Sequence, residues 1–367
     1  MKHLSRLKSL QRYFEQDRLD AAFITHLANI RYLCGFNGSS SILTFCRGAW
    51  EFFTDGRYTE QARKQVKGAT VRVDGRPPLA HAAQSTGSRL RRAQGVTRIA
   101  IERDYMTLAM QARLTSELER AMPKSRFRMI QTTGAVERLR IRKDREEIDQ
   151  IRKAVDLASS IFPGVLRTIK PRVTENSVAA ELEYLARKSG AEKMSFDTIV
   201  ASGFRSALPH ARPSLEKIGR GFVVLDYGVI LGGYCSDMTR TVHVGRVDRA
   251  MRDLYSAVLD AQLAGIAAVR SGAEAQQVDA AARNVLRKHK LNKYFTHSLG
   301  HGVGIEIHES PRLARGETQA LETGMVVTIE PGVYVPGKGG VRIEDMVLVT
   351  DTGCEVLTPT SKELVIR

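Results

Sequence analysis

The sequence predicts a chain of mixed helices and strands that forms two α/β regions. Three observations support this prediction. The length of 367 residues exceeds that of one ordinary domain and fits two. Residues 1–133 alternate between helical and strand patterns, and the residues beyond 150 do so again. The strongly charged segment 136–150 separates the two patterns, so we place the domains at 1–133 and 134–367.

In the first region, apolar and β-branched runs predict six strands. Helices are predicted through residues 8–14, at 59–66 and near 108–122. The predicted strands are 21–25, 41–45, 50–54, 70–73, 98–102 and 127–131. Together these elements make an α/β unit that is large enough to have its own core.

The second region opens on a long helix. In its charged start, basic and acidic residues recur at i, i+3 and i+4, which is typical of a solvated helix face. The helix continues through 154–166, and another begins at Thr174. Strands are predicted at 197–201, 221–228, 234–245, 325–332 and 341–350, with helices around 251–269 and 275–289 between the third and the fourth.

Composition and charge restrict the possible classes of protein. Hydrophobic residues make up 43% and charged residues 26%, values typical of globular proteins. The net charge of +16 and the pI near 9.9 would suit a nucleic-acid-binding protein. The basic residues are nevertheless dispersed among acidic ones, and the sequence has no RNA-binding or helix-turn-helix motif. We therefore do not expect a nucleic-acid partner.

The cysteines and the N-terminus indicate a location. The four cysteines form no C-x-x-C pair, which is typical of reduced thiols; they are Cys34, Cys46, Cys235 and Cys354. The first residues have leucines at helical spacing with charges between them, rather than the apolar segment of a secretory signal. No run approaches the roughly 20 apolar residues of a membrane span. We expect a cytoplasmic protein that has no membrane partner.

Two aspartates stand within apolar strand patterns. Asp226 follows four apolar residues in GFVVLDYG, where a carboxylate is costly unless it is paired or binds a metal. An aspartate in a turn at the strand end explains that segment equally well. Asp237 comes eleven residues later, beyond the turn-like LGGY (231–234). This spacing suits a hairpin that brings both carboxylates together.

A histidine-rich segment follows. His301 lies in HSLGHGVG (297–304), between His297 and His308. The glycines of this segment permit close approach of the backbone. A single histidine is more often a satisfied core residue, but three in twelve residues beside glycines favour a functional site.

Two glutamates complete the pattern. Glu330 ends VVTIE and precedes Pro331 and Gly332. Glu344 lies in VRIED, where strand alternation puts it on the same face as Arg342. A structural Arg–Glu pair would be a poor explanation for two glutamates in two apolar strands.

The five residues together predict a site for two divalent cations: Asp226, Asp237, His301, Glu330 and Glu344. Four carboxylates and one imidazole favour Mn²⁺, with Co²⁺, Zn²⁺ or Fe²⁺ as alternatives. Two cations roughly 3.5–4 Å apart lower the pKa of a bridging water and polarise a carbonyl oxygen. This indicates hydrolysis of an amide or a similar bond. A covalent mechanism is disfavoured because the chain has no G-x-S-x-G and no serine or cysteine in a clear nucleophile turn.

Five segments resemble, in the same order, the pita-bread metallopeptidases, the family of methionine aminopeptidase, Xaa-Pro aminopeptidase, Xaa-Pro dipeptidase (prolidase) and creatinase. The segments are LDYG, GGYCSDMTRTV, THSLGHGVGIEIHE, TIEPGVY and GGVRIED. The resemblance covers about residues 136–367. It implies an α+β fold of two pseudo-symmetric halves around an antiparallel sheet, with the dimetal site between them.

The first region resembles the smaller α/β creatinase-type N-terminal domain of the Xaa-Pro enzymes. The matching segments are NIRYLCGFNGSS (29–40) and FFTDGRYTEQA (52–62). Methionine aminopeptidases lack this domain, so the resemblance implies an enzyme directed at proline. A homodimer is also implied, with the N-terminal domain at or near the interface.

The resemblance implies a role for each ligand. Asp226 would hold one metal, and His301 and Glu330 mainly the other. Asp237 and Glu344 would bridge the two. Glu330 would also accept a proton from the attacking water and pass it to the leaving nitrogen.

Further matching residues would handle the substrate. His210, in LPHARPS, would contact it near the scissile bond. His308 would stabilise the tetrahedral intermediate. The pocket for the proline ring would be lined by His297, Tyr334 and Arg342.

The expected activity is hydrolysis of the Xaa-Pro bond. We predict an Xaa-Pro aminopeptidase because of the motifs GFNGSS and TDGRYTEQA. The alternative is an Xaa-Pro dipeptidase, which must hold the free carboxylate of its substrate. Arg312, in HESPRL, matches an arginine that some prolidases use for that carboxylate, although similar aminopeptidases carry it too. Because all five ligands are present, an inactive binding protein of this fold, possibly for nucleic acid, is a remote alternative.

Overall fold

A six-stranded sheet organises the first unit of the chain, Met1–Arg140, in the computed structural model, which describes residues 2–91 and 94–367. The strands are β1 Ala21–Ile24, β2 Ser41–Cys46, β3 Ala49–Asp55, β4 Thr70–Asp74, β5 Val96–Glu102 and β6 Arg126–Thr132. Their order is β4-β3-β2-β1-β5-β6. β2 is antiparallel to both of its neighbours, and the remaining pairs are parallel. All six predicted strands are confirmed.

The helices of the first unit are α1 His3–Gln16, α2 Leu27–Cys34, α3 Thr59–Gln65, α4 Pro78–Leu90, α5 Leu108–Ala121 and α6 Glu137–Arg140. The sequence did not predict α2 and α4. α2 is only eight residues long, and α4 is rich in small and polar residues, so neither has a strong helical pattern. Packing stabilises α4: Gly87 lies so close to α5 that an added Cβ would be 2.5 Å from the Cβ of Ala121.

A buried polar network ties the end of this unit to its sheet. Glu102 accepts hydrogen bonds from the backbone of Thr25 and His26 and from the side chain of Asn29. Asn29 also donates to Glu137 and accepts from Arg140. The unit therefore extends to Arg140, whereas the predicted domain boundary lies at 133/134.

The second unit, Ile141–Arg367, contains two pairs of helices. These are α7 Arg145–Thr168 with α8 Glu175–Lys188, and α9 Arg249–Ala268 with α10 Ala275–Lys288. α7 begins with a capping box in which Asp144 and Glu147 each bond the other's backbone N–H. α7 and α8 pack on one apolar core and α9 and α10 on another, which gives the unit two similar halves.

Short antiparallel strands form the sheets between the helices. The first half contains β7 Lys193–Met194, β8 Ile199–Ser202, β9 Gly221–Tyr227, β10 Val229–Leu231, β11 Tyr234–Cys235 and β12 Met238–Val244. The second half contains β13 Gly300–Gly302, β14 Glu309–Leu313, β15 Val326–Ile329, β16 Gly332–Val335, β17 Gly339–Arg342, β18 Asp345–Val349 and β19 Cys354–Val356. The sheets have the orders β11-β10-β7, β12-β9-β8, β14-β13-β15-β18-β19 and β16-β17. This is the α+β architecture expected of the pita-bread fold.

Three predicted strands are wrong in one respect, because each is interrupted. The predicted strand 234–245 divides into β11 and β12. The predicted strand 325–332 divides into β15 and β16, and 341–350 divides into β17 and β18. β15 pairs with β18, whereas β16 pairs with β17. Asp237 lies at the first of these interruptions, and Glu330 and Glu344 lie at the other two.

Two further properties concern the chain as a whole. Across the described residues, each helix falls short of the length and apolar character that a membrane span requires. The four cysteines are free thiols, and three of them are buried.

Candidate active site

The pairing of β9 with β12 brings two of the predicted ligands together. Asp226 on β9 lies opposite Thr239 on β12. Asp237 precedes Thr239 by two residues, so its side chain lies on the same face of the sheet, diagonal to Asp226. Both carboxylates are buried, and their arrangement agrees with the hairpin inferred from their spacing.

Glu330 and Glu344 face each other at the interruption of the second sheet. Ile329 pairs with Asp345 on one side of the interruption, and Gly332 pairs with Arg342 on the other. The register is the same on both sides, so Glu330 and Glu344 occupy opposing positions. Freed from the ladder, both carboxylates turn into the site.

His301 lies on β13, between β14 and β15. Its Nδ1 is 3.0 Å from the Gly302 carbonyl oxygen, so Nδ1–H donates there and the lone pair stays on Nε2. Nε2 is 3.4 Å from Glu330 Oε1 and 3.6 Å from Asp237 Oδ2. A backbone partner for the second ring nitrogen is typical of metal-binding histidines.

The glycines beside His301 are required by close packing. A Cβ at Gly300 would lie 2.0 Å from the carbonyl oxygen of Thr328, and one at Gly302 would lie 2.3 Å from that of Ser310. The Thr328 hydroxyl accepts a hydrogen bond from the His301 N–H (3.0 Å) and donates one to Glu330 Oε1 (3.2 Å). Thr328 therefore orients two of the predicted ligands at once.

The electrostatics of the cluster match a cation site. Burial, followed by repulsion from the other carboxylates, raises the pKa of Asp237 and Glu344 well above their ordinary values. Burial raises the pKa of Glu330 to about 8. It lowers the pKa of His301 to about 4, so the imidazole is neutral near pH 7. A bound cation would relieve the repulsion that raises the carboxyl pKa values.

The donor atoms also fit a divalent cation. Ligand atoms of Asp237, His301 and Glu344 all lie within 4.8 Å of one another. Asp226 Oδ1 is buried and has no hydrogen-bond partner among the described residues. A buried, unsatisfied carboxylate oxygen is costly unless a cation binds it. Oxygen ligands with one imidazole suit Mn²⁺ and related ions.

Arg342 holds this cluster in place. It is 3% exposed, and its Nη2 donates to Asp226 Oδ2. Nη1 donates to the Tyr334 hydroxyl (2.6 Å) and to the Pro209 carbonyl (3.1 Å), and Nε donates to Thr239 Oγ1 (3.2 Å). With these donors engaged, Arg342 positions the ligand Asp226 and the loop before His210. Arg342 also lines the catalytic cavity described below, and its predicted place in a pocket for proline stays a prediction.

His297 and Tyr334 form a hydrogen-bonded pair near the ligands. His297 Nδ1 donates to the Ser298 carbonyl (2.8 Å), so Nε2 accepts from the Tyr334 hydroxyl (3.0 Å). Burial lowers the pKa of His297 to about 4, which keeps it neutral. His297 lines the catalytic cavity described next, whereas Tyr334 is not among the described residues of its wall. Tyr334 therefore holds His297 and Arg342 through hydrogen bonds to its hydroxyl, without lining the cavity itself.

A cavity of about 800 Å³ opens onto the five ligands. Three more predicted residues lie in its wall: His210, His308 and Arg312. The ring of His308 lies 4.4 Å from that of His301, nearly edge to face. Burial lowers the pKa of His308, so it is present as the neutral imidazole. The cavity thus contains all five predicted ligands and the predicted substrate-binding groups except Tyr334.

The sequence pattern did not predict several residues of the site. Thr239 donates to Glu344 Oε2 (2.7 Å), and Thr328 donates to Glu330 as described above. Each threonine is two residues from a ligand on its strand, the spacing that puts side chains on one face. That spacing was a usable signal. By contrast, no local sequence pattern predicts the buried ion pair between Lys143 and Glu309 (3.2 Å), of which Glu309 lines the cavity. The two partners are 166 residues apart in the sequence.

The fold and the site together define a metallopeptidase, and comparison with known proteins identifies the family. The model of metallopeptidase family M24 matches residues 149–351. The model of the creatinase/prolidase N-terminal domain matches residues 6–142. The chain therefore belongs to metallopeptidase family M24 and carries a creatinase-type N-terminal domain.

Individual relatives match over nearly the full length. The chain is 36% identical to the Xaa-Pro dipeptidase of Pyrococcus furiosus over 98% of this chain and 99% of that protein. A solved structure of an Xaa-Pro dipeptidase from Bacillus anthracis has a TM-score of 0.92 at 38% identity and covers 100% of both chains. That of an X-Pro aminopeptidase from Thermotoga maritima has a TM-score of 0.87 at 33% identity and covers 98% of this chain and 100% of its own.

Proposed function

We propose that this protein is an Xaa-Pro dipeptidase that uses two divalent cations, with Mn²⁺ as the first candidate. It would hydrolyse the bond between any first residue and a C-terminal proline. Relatives at 36% and 38% identity that match over the whole chain carry this activity in their names. The five ligands would hold the cations as the resemblance implies, with Asp237 and Glu344 shared between them.

The observation that carries the dipeptidase proposal is the position of Arg312. On β14 it pairs with His301 of β13, so its side chain leaves the sheet on the side of the metal ligands. It is exposed in the cavity wall, and its guanidinium has no anionic partner among the described residues. A free guanidinium fits a carboxylate with two parallel hydrogen bonds. The carboxylate of a dipeptide would be held beside the catalytic cluster.

The residues of the cavity supply the steps of hydrolysis. When bound, the two cations would lower the pKa of a shared water and polarise the scissile carbonyl. Glu330 would accept the proton of that water as its oxygen bonds to the carbonyl carbon. His308 would donate a hydrogen bond to the developing oxyanion. Glu330 would then give the proton to the proline nitrogen as the C–N bond breaks, which releases the first residue and proline.

The aminopeptidase predicted from the sequence is the second candidate. That prediction depended on GFNGSS and TDGRYTEQA in the N-terminal domain. Relatives named dipeptidase and a relative named aminopeptidase both match this chain over the same two-domain length. The presence of the domain therefore does not separate the two activities, and the choice depends on the cavity.

A pair of substrates tests the proposal. In Mn²⁺ buffer, Ala-Pro should be hydrolysed with a higher kcat/KM than Arg-Pro-Pro. Faster release of arginine from Arg-Pro-Pro would favour the aminopeptidase, and hydrolysis of neither peptide would favour the binding protein.

The variant Arg312→Met tests the carboxylate contact. It should lower kcat/KM for Ala-Pro roughly 10- to 100-fold, the value of a charge-assisted hydrogen bond. Prolinamide in place of proline provides the matched control, because Ala-Pro-amide has no carboxylate and its hydrolysis should be insensitive to the variant. An equal loss on both substrates would contradict the proposed contact. The homodimer and the cytoplasmic location stay predictions; light scattering would measure the former.

A further inference from the structure

A second cavity adjoins the catalytic one. It has a volume of about 560 Å³. Three of its lining residues, His297, Ser298 and Arg312, also line the catalytic cavity. The two cavities are therefore neighbours that meet at Arg312, the residue to which we assign the carboxylate of the dipeptide.

The charge of the second cavity is opposite in sign to that of the first. The catalytic cavity contains the four carboxylates of the metal site. The charged residues that line the second cavity are Arg283, Lys293, Arg312, Arg315 and Glu317. A single carboxylate thus faces four cations.

One of these cations is already neutralised. Arg283 is buried, donates to Asp279 (2.7 Å) and binds two backbone carbonyls. Lys293, Arg312 and Arg315 are exposed, and the described part of the chain offers none of them an ion pair. Lys293 contacts the ring of its neighbour Tyr294 at 4.9 Å. Three free cations at the end of an acidic catalytic cavity form a site for an anion.

We propose that the second cavity is a subsite for peptides that extend beyond proline and that it selects an acidic residue after the proline. This inference takes its orientation from the proposed function, because Arg312 marks the carboxyl end of the bound dipeptide. A third residue would continue past Arg312. An extended chain advances about 3.3–3.6 Å per residue, so this residue enters the second cavity directly. Its side-chain carboxylate would lie near Lys293 and Arg315.

Two tripeptides that differ only in the third side chain test the subsite. Ala-Pro-Glu should have a kcat/KM about tenfold higher than Ala-Pro-Lys, because two exposed cations attract one side chain and repel the other. The preference should shrink in 0.5 M NaCl, where exposed charges are screened. If the enzyme binds the tripeptides without hydrolysing them, the same preference can be measured by calorimetry as the ratio of their two Kd values.

The double variant Lys293→Glu/Arg315→Glu should reverse the preference. Arg249→Glu is the matched control: Arg249 is 95% exposed and lines neither cavity, so the preference should persist. Equal constants for the two tripeptides in the unmodified enzyme would refute the subsite, and so would an unchanged ratio in the double variant. Failure of the proposed function has a different signature, since it concerns Ala-Pro against Arg-Pro-Pro and leaves the ratio of the two tripeptides measurable.

Discussion

Glu330 combines three properties that suit a proton carrier beside a metal. Its carboxylate is 3.4 Å from His301 Nε2, so it lies in the ligand cluster. Burial raises its pKa to about 8 in the metal-free protein, so its surroundings favour the protonated form. The Thr328 hydroxyl donates to Oε1 and fixes the orientation of the group. The other carboxylates of the cluster lack this combination of a threonine anchor and contact with the imidazole.

For this residue we predict that the variant Glu330→Gln abolishes activity. The amide is nearly the same size but neither accepts the proton nor carries the ligand charge, so turnover should fall at least about 10³-fold. The variant should still fold, because it replaces a buried carboxylate by an uncharged group. Circular dichroism and Ala-Pro hydrolysis in saturating Mn²⁺ measure the two effects. Near-normal hydrolysis in that buffer would refute the assigned role.

At the scale of elements, interrupted strands build the site. β15 and β16 are successive parts of one extended segment, and so are β17 and β18. Within a regular ladder, Glu330 and Glu344 would be held by the geometry of the sheet. The gap in the pairing of these two segments frees both, and Thr239 and Thr328 on the regular strands then hold their carboxylates.

The close approach of β13 to β15 leads to a prediction about stability and metal binding. Gly300→Ala would bring a Cβ to 2.0 Å from the Thr328 carbonyl and push β13 from β15. We expect a loss of about 1–3 kcal/mol in the free energy of unfolding, together with weaker Mn²⁺ binding, because His301 follows directly. Gly353→Ala is the control, since a Cβ there would meet nothing within 4 Å. Thermal unfolding and calorimetric Mn²⁺ titration measure both effects; equal behaviour of the two variants would contradict the packing argument.

At the scale of the whole molecule, charge is unevenly distributed. In the first 140 residues Lys and Arg greatly outnumber Asp and Glu, whereas in the rest of the chain the two classes are nearly balanced. The net charge of +16 therefore belongs mainly to the N-terminal unit. Four carboxylates of the catalytic unit lie together in the buried cluster, where cations would neutralise them.

The buried cluster makes stability depend on pH when metal is absent. The folded-state pKa of Glu330 is about 8, above its ordinary value of 4.5, and those of Asp237 and Glu344 are raised too. Their stabilising effect is therefore complete at low pH and is lost as pH rises through the folded value. Between pH 6.5 and 8 the free energy of unfolding of the metal-free protein should fall by about 1–2 kcal/mol for each carboxyl group of the cluster that is protonated in the folded state. Denaturant unfolding after chelation measures this loss.

The chosen pH window avoids competing groups. His297 and His301 have pKa values of about 4, so they change stability in the opposite direction, but only below pH 6.5. Buried thiols begin to contribute above pH 8. Adding Mn²⁺ should remove the fall, and Glu330→Gln should reduce it. Constant or rising stability of the metal-free protein across the window would show that the cluster is not protonated as described.

Local pattern was enough for the strands of the first unit and for the identity of the chemical groups. The six strands of the first unit have strong β patterns, and the five ligands stand out because charges in apolar segments are costly. The short α2 and the weakly patterned α4 were missed because their stability comes from packing rather than from intrinsic propensity. The motifs, with their order along the chain, were sufficient to indicate the family.

The amino-acid sequence alone specifies which chemical groups are present, their order along the chain and the chemistry that they suit. How those groups are held depends on contacts that form in the folded protein. Arg342 reaches Asp226 across 116 residues, Thr239 reaches Glu344 across 105, and Lys143 reaches Glu309 across 166. The meeting of the two cavities at Arg312 likewise depends on the pairing of β13 with β14. Such contacts join segments that are distant along the chain, and local pattern carries no information about which distant segments will pack together.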